Sequence, residues 1–390
     1  MSHSYLFVLG VSPDLCLAEL KSVLSQFVPN HTLSWHQHPL VCVTFSDPPP
    51  VAELNKRLGG TVKIACIKNQ LESIDAKTLS ALLPPETKNF GLSNYSNQNL
   101  SITELCKEVK ALREPQNLRY VLPKDGKILQ SIVVLKQKLT ELICFVDQNS
   151  KWGVAQTVAV QDSEDWGKRD FGRPYADPGS GMLPPKVARM MLNLVVTPKP
   201  QNIFDPFCGM GTIVAEGALL GQQMTGSDID NGVITKARAN LTWLMQTYRL
   251  DESCYGLETG DATHVSELVP AVSIDAIVTE PFLGTAFEKR GEVLMRSGKP
   301  VTRENLDNTF TGLTKLYIGA FREWVRVLKP GGFVVIVLPE VNFESRGFRV
   351  KKMVDNCEKL GYTVSQGPLL YARPQAVVKR QIYVFRKTNI

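Results

Sequence analysis

The sequence predicts an α/β fold, and three observations carry that prediction. From Gln201 onward, apolar runs of strand length alternate with amphipathic stretches, the pattern of a mostly parallel sheet covered by helices on both faces. The glycine-rich stretch DPFCGMGT (205–212) stands where the first of these strands turns into a helix. Acids then follow the next strands in turn, in GSDID (226–230), TGDAT (259–263) and EPF (280–282). In an open parallel sheet, ligands bind at these carboxyl ends, near the switch in strand order.

A chain of 390 residues has room for about two or three domains, each able to bury its own core. Hydrophobic content of 43% beside 21% charged residues is ordinary for a globular protein. The net charge of +6 permits an acidic partner without requiring one. Its distribution says more: residues 101–140 hold eight Lys/Arg against four Asp/Glu, and basic residues return at Lys168, Arg169 and Arg173. The eight cysteines are scattered without a C-x-x-C pair, which predicts reduced thiols in a cytoplasmic protein, with neither a zinc site nor a disulfide framework. The His36-Gln-His38 pair fits one face of a strand and is read as surface rather than metal ligands. The opening apolar run Tyr5–Val11 lacks a basic leader and a cleavage site, so it reads as a strand and not a signal peptide. No apolar run nears the ~18 residues of a membrane span.

The elements follow in order. Tyr5–Leu9 reads as a strand, and Leu15, Leu17, Leu20, Val23 and Leu24 as one apolar helix face. Val41–Phe45 is a strand, SDPPP breaks the chain, and a helix passes through Leu54 and Leu58. Residues 1–60 thus form a small α+β unit. A second unit, 61–160, begins at Thr61–Ile67. It contains a strand near Asn89–Leu92, a helix from Ser101 to about Leu112, an apolar segment Ile132–Leu135, and strands at Glu141–Val146 and Gly153–Val160. SITE (101–104) has capping-box form, Ser101 preceding Glu104 by three. Lys107 and Lys110 lie on the polar face of that helix, as a solvated side or a binding surface. The turn-rich, charged residues 161–181 read as a connection between domains. Residues 182–390 make the last domain: a helix over Met182–Val196 with Pro184 and Pro185 in its first turn, then strands and helices in alternation. These are strands at Ile203-Phe204, Met224–Ser227, Ala276–Val278, Phe333–Val337, Thr363–Leu370 and Gln381–Arg386. The helices are Thr212–Leu220, Val233–Met245, one from about Leu306 to Leu328 and one from about Val350 to Leu360.

Chemistry concentrates at the strand ends. Gly209 and Gly211 allow close approach of backbone to a ligand, and Thr212 opens a helix whose free N–H groups favour an anion. The stretch is neither a P-loop nor G-x-G-x-x-G, and suits a nucleoside-bearing ligand with a small carboxylate. Asp228 or Asp230 can accept both hydroxyls of a ribose, and Asp261 stands where an exocyclic amine could donate to it. Glu280, before Pro281 and Phe282, is the candidate catalytic carboxylate.

With these motifs in hand, the chain resembles the class I methyltransferases that use S-adenosylmethionine. More narrowly, VAVQDSEDWGKRDFGRPYADPGSGMLPPKVARMMLNL (158–194) followed by FDPFCGMGTIVAEG is similar to the THUMP-containing tRNA guanosine-10 N2-methyltransferases. The resemblance implies a Rossmann-like domain over 182–390 with a mostly parallel seven-stranded sheet. It also implies a ferredoxin-like module over 1–60 and a THUMP RNA-binding domain over 61–160. By position, Asp205, Pro206, Phe207, Cys208, Gly209, Gly211 and Thr212 would wrap the methionine half of the cofactor. Asp228 with Ile229 would hold its ribose, and Asp261 with Ala262 would face adenine. Met182, Leu183 and Pro184 would flank the carboxylate end. Arg169 and Arg173 would lie at the mouth, where they could pair with phosphates; Lys107 and Lys110, on the basic helix face, are the further candidate RNA contacts. These enzymes usually carry Asp-Pro-Pro-Tyr as the fourth motif; here Glu280-Pro281-Phe282-Leu283 takes its place. Glu280 would hold the amino group of guanine, and Phe282 would stack on the base. The implied activity is N2 methylation of a tRNA guanosine, position 10 by resemblance. Another tRNA or rRNA guanosine, or an inactive RNA-binding relative, stays open. Some members work with a small zinc-binding partner protein, on which these residues are silent.

Overall fold

The computed structural model describes residues 2–114, 116–176, 182–284, 286–289, 292–295, 300–372 and 376–388. The chain divides into two compact units, residues 1–20 with 28–166, and residues 21–27 with 167–390.

In order, the first part of the chain forms β1 (His3–Leu9), α1 (Pro13–Phe27), β2 (His31–Gln37), β3 (Leu40–Phe45), α2 (Val51–Arg57) and β4 (Thr61–Leu71). Next come α3 (Ala76–Leu82), β5 (Asn89–Asn94), α4 (Ile102–Ala111), β6 (Arg119–Tyr120), α5 (Ser131–Lys136), β7 (Thr140–Val146) and β8 (Trp152–Val160). All eight strands belong to one sheet, in the order β2-β3-β1-β4-β8-β7-β5-β6. The expected separation at residue 60 is therefore not a break in the sheet: β4 pairs antiparallel with both β1 and β8. β4 starts at that boundary with a buried stretch, and its N–H and C=O groups need partners on both edges. The apolar segment Ile132–Leu135 lies in helix α5. In α4, Ile102, Leu105, Cys106 and Val109 are buried at helical spacing, which leaves Lys107 and Lys110 on the exposed face. The expected capping box at its start does not form. Ser101 makes no side-chain cap bond, and Glu104 instead accepts from Lys107 at 3.0 Å. One polar cluster was not anticipated: Lys63 and Glu141, both buried, pair at 2.6 Å. Glu141 also accepts from Ser93 and Thr157, and Lys63 donates to the Leu129 carbonyl.

The rest of the chain comprises α6 (Ser163–Phe171), α7 (Pro185–Asn193), β9 (Asn202–Asp205), α8 (Thr212–Leu219), β10 (Gln223–Asp228), α9 (Asn231–Tyr248), β11 (Tyr255–Thr259) and β12 (Ile274–Thr279). A small hairpin of β13 (Ala286–Lys289) and β14 (Glu292–Met295) follows. Then come α10 (Arg303–Val327), β15 (Leu328–Phe343), β16 (Arg346–Arg349), α11 (Lys351–Asp355), β17 (Tyr362–Tyr371) and β18 (Val378–Lys387). The connection expected over 161–181 holds helix α6. Asp162 caps its start by accepting from the N–H groups of Glu164 and Asp165. Acids in its first turn and Lys168 and Arg169 in its last match the helix dipole. Residues 177–181 of that expected connection lie outside the described residues. The helix expected from Met182 starts only at Pro185, with Pro184 as its cap residue.

The sheet runs β11-β10-β9-β12-β15-β18-β17, with β16 paired to β15. Neighbours from β11 to β15 are parallel, whereas β18 is antiparallel to β15 and β17, and β16 to β15. The expected seven-stranded sheet is thus a mixed one of eight. A short connection between β17 and β18 can only make an antiparallel pair. β16 folds back through Glu344 and Ser345, both left-handed at φ 47° and 63°. That is a tight hairpin turn written without the usual Asn-Gly. α10 buries Leu306, Phe310, Leu313, Tyr317, Ala320, Phe321, Trp324 and Val327 along one stripe, against a core that includes Phe204, Ile277, Val334, Ile336 and Phe385. Strand order reverses between β9 and β12, so the ends of those two strands form the switch point.

Candidate functional site

The switch point is tied across by a short bond. Thr279, the last residue of β12, donates its hydroxyl to Asp205 Oδ1, at the end of β9, at 2.6 Å. Asp205 is 1% exposed. Burial pushes its carboxyl up to about 7, against the opposing bonds from Thr279 and the Phe207 N–H. The turn from β9 into α8 places Gly209 and Gly211 at φ +52° and +82°, where a side chain would be strained. A Cβ on Gly209 would project into open space, so the turn offers its backbone to whatever lies above it. Cys208 is buried, and its thiol is pushed well up by that burial. It is no ready nucleophile.

Asp228 closes β10. Its Oδ2 accepts from the Gly209 N–H at 3.2 Å and its Oδ1 from the Asp230 N–H at 3.0 Å. A carboxylate has about four acceptor positions, so Asp228 keeps capacity for hydroxyl donors. Asp230 is engaged otherwise, capping α9 through the N–H groups of Gly232 and Val233. Of the two acids, Asp228 is the one on the cavity. Ile229, beside it, is 74% exposed, an apolar surface set against a polar turn. Past β11, Asp261 Oδ1 accepts from the N–H and hydroxyl of Thr263, both at 2.8 Å, and the indole of Trp324 donates to the Ala262 carbonyl at 3.0 Å.

The fourth strand end completes the set. Glu280 is a largely buried acid, its side chain 14% exposed, whose Oε1 accepts from Arg380 Nε at 2.5 Å. Burial is the larger influence and raises its carboxyl, while Arg380 pulls in the opposite direction. Tyr317, buried in α10, donates its hydroxyl to the Phe282 carbonyl at 2.6 Å and fixes the chain after Pro281. The Phe282 side chain is 44% exposed.

These four ends surround a cavity of about 590 Å³, within the usual range for a ligand site. Met182, Leu183, Asp205, Pro206, Phe207, Cys208, Gly209, Thr212, Asp228, Ile229, Asp261, Ala262, Glu280, Pro281 and Phe282 all line it. Of the residues expected here, Pro184 and Gly211 do not: they set the backbone, as cap residues of α7 and α8. Arg169 and Arg173 are corrected. Arg169 is 7% exposed and gives Nη1 to both oxygens of Glu216 at 2.7 Å. Arg189 joins the same carboxylate. Arg173 donates to the Thr212 hydroxyl at 2.8 Å, with a side chain only 6% exposed. A guanidinium bound to a buried carboxylate is withdrawn from phosphates, so this basic cluster braces the helix behind the glycine turn. Lys107 and Lys110 belong to the other unit, on the exposed face of α4. Thr279, Tyr317 and Arg380 were missed. Tyr317 hides in the apolar stripe of α10, and Arg380 sits in an ordinary strand one hundred residues from its partner. Among the described residues, no group of three or more His, Cys, Asp or Glu could hold a metal, and no helix is long and apolar enough to cross a membrane.

Residues 173–296 match the family described as UPF0020: RMKL-like, methyltransferase domain. A protein of Methanocaldococcus jannaschii named tRNA (guanine(10)-N2)-dimethyltransferase is 29% identical over 236 residues, 55% of this chain. The chain spans just under two thirds of that relative's length, 64%. A protein of the same name from Pyrococcus abyssi is 27% identical over 289 residues, covering 72% of this chain and 78% of its own. Among solved structures, TrmN from Thermus thermophilus superposes with a TM-score of 0.58 at 17% identity, covering 99% of this chain and all of that one. At that identity the likeness is one of α/β methyltransferase fold.

Proposed function

We propose that this chain, which carries an RMKL-like methyltransferase domain over residues 173–296, methylates the exocyclic N2 of a guanosine in tRNA with S-adenosylmethionine as donor. The observation that carries the reading is a shared cavity: Glu280 and Pro281 line the same space as Asp228, Asp261 and the glycine turn. A nucleoside fits those groups. Asp228 has acceptor capacity for ribose hydroxyls, Ile229 offers an apolar face to adenine, Asp261 lies beside it for the exocyclic amine, and the open side of Gly209 admits the methionine portion. S-adenosylmethionine supplies an electrophilic methyl group on a sulfonium.

The protein's part is to present the nucleophile. The amino nitrogen of guanine is weak because its lone pair is delocalised into the ring. It carries two hydrogens, and the site offers two acceptors, a Glu280 oxygen and the Pro281 carbonyl. No described residue donates to that carbonyl, whereas the next one, of Phe282, is held by Tyr317. Accepting both hydrogens orients the nitrogen and stabilises the positive charge that grows on it. Glu280 is then placed to take the proton that must leave N2 once it is methylated. Glu has the charge of the Asp usual at this position on a longer stem, and the contact with Arg380 sets where that stem ends. Phe282, half exposed at the cavity, is suited to stack on an extracted base.

Position 10, and one or two methyl groups, are what the relatives' names suggest. The modules expected at 1–60 and 61–160, ferredoxin-like and THUMP, are the proposed RNA grip, with Lys107 and Lys110 as phosphate contacts. Incubation with labelled cofactor and unmodified tRNA transcripts tests the reading. Label is expected in a transcript with G10 and not in the same transcript with A10. Label in both would move the target elsewhere in the tRNA, and label in neither would leave an RNA-binding relative without transfer.

A further inference from the structure

We propose that Arg380 is a positioning residue of the transfer site, which pins Oε1 of Glu280 so that Oε2 and the Pro281 carbonyl form a fixed pair of acceptors. The inference rests on the role given to Glu280 above. Three observations carry it. Arg380 does not line the cavity, whereas Glu280 does, so the arginine reaches the cavity through the acid. Arg380 donates Nε to one oxygen of the acid, Oε1, at 2.5 Å, and no described residue donates to Oε2. The guanidinium is itself held: its side chain is 14% exposed, it lies 5.9 Å from the Tyr371 ring centre, and its strand pairs on both sides, with Pro339 and Tyr371.

A carboxylate on a flexible two-carbon stem has several rotamers, and fixing one oxygen removes most of them. A cation at this distance also favours the ionised form, which alone accepts an amino hydrogen at both lone pairs. Among the described residues, the other charged or titratable groups facing Glu280 are Asp205 from β9 and Tyr317 from α10. Neither supplies a positive charge, so Arg380 is the group that opposes the burial of Glu280.

The test compares the wild type with Arg380→Met, Arg380→Lys and Glu280→Gln. Infrared difference spectra against Glu280→Gln follow the titration of this one carboxyl without tRNA or turnover. In Arg380→Met it should move up by about 1–3 units, the usual effect of removing an adjacent opposite charge, and the acidic limb of the methylation rate should move with it. In Arg380→Lys the charge remains but the Nε contact is lost, so the limb should stay near the wild-type position while turnover falls. Cofactor binding measured by calorimetry should be unchanged in both. A carboxyl and an acidic limb that stay in place in Arg380→Met would overturn the inference. So would wild-type turnover in Arg380→Lys, which decides the matter if the Met variant does not fold. If the wild type transfers no methyl group, the reading of the site fails, while the infrared titration still decides the fate of the ion pair.

Discussion

Two glutamates of the C-terminal unit meet arginines, and they differ in what is left over. Glu216, in α8, is 1% exposed and both its oxygens are taken by Arg169, with Arg189 added at 2.7 Å. Among the described residues, Glu280, past the end of β12, is held at one oxygen and lines a cavity with the other to spare. The first has both oxygens satisfied inside the protein; the second is an acceptor kept open. Burial alone does not distinguish them. What distinguishes them is where the lone pairs go, and only a carboxylate with an unoccupied oxygen can receive a donor from outside. Glu141 of the other unit, bonded to Lys63, Ser93 and Thr157, belongs with Glu216.

Substitutions should break this comparison in opposite ways. The largest stability effect is expected at Glu216→Gln, which removes the buried negative charge that Arg169 and Arg189 share. Chemical denaturation should show a loss of about 3–5 kcal/mol. Glu280→Ala should leave folding, cofactor affinity and tRNA affinity in place while turnover falls at least ~100-fold, the scale of a positioned acid–base group. If Glu280→Ala lost as much stability as Glu216→Gln, the two sites would be one kind. Asp205 sharpens the contrast through pH. Its carboxyl holds a proton up to about 7 in the folded state but only to about 3.9 when unfolded. Between those values the folded chain binds a proton that the unfolded chain has released, so stability should fall as pH rises through that window. Asp205→Asn should flatten the window, as read from melting temperatures in a pH series; an unchanged slope would count against a buried neutral acid at the switch point. The smallest effect on the fold is expected at Lys107 and Lys110. Their reversal to Glu removes one exposed pair, Lys107–Glu104, and should change stability by under ~1 kcal/mol. The same change should weaken tRNA binding and lower its salt slope by about 2, one per lost phosphate contact. An unchanged slope would make α4 an ordinary solvated helix.

The cavity was legible because each of its motifs is local. A strand end, a glycine turn and an acid stand within a few residues of one another, and the alternation of strands and helices places all four ends on one edge. The helices with clear apolar periodicity, α4 and α10, were legible for the same reason. What escaped the sequence was pairing at a distance. Arg380 and Glu280, or Lys63 and Glu141, are charged residues whose partners only the folded sheet brings together. Arg169 and Arg173 show the converse: a basic cluster in a polar stretch looks like a phosphate grip until a buried Glu216 and the Thr212 hydroxyl are found as its partners. Hairpins without Asn-Gly, as at Glu344-Ser345, and a helix inside a turn-rich segment, as in α6, carry too weak a local signal against their composition.

The central claim, that Glu280 serves methyl transfer to guanosine N2, is tested most directly by mass spectrometry of nucleosides from tRNA. The tRNA is incubated with S-adenosylmethionine and either the wild-type protein or Glu280→Gln. The expected result is N2-methylguanosine, singly or doubly methylated, from the wild type and almost none from Glu280→Gln, with cofactor binding equal in both. No methylated guanosine from the wild type, or equal amounts from the two proteins, would contradict it.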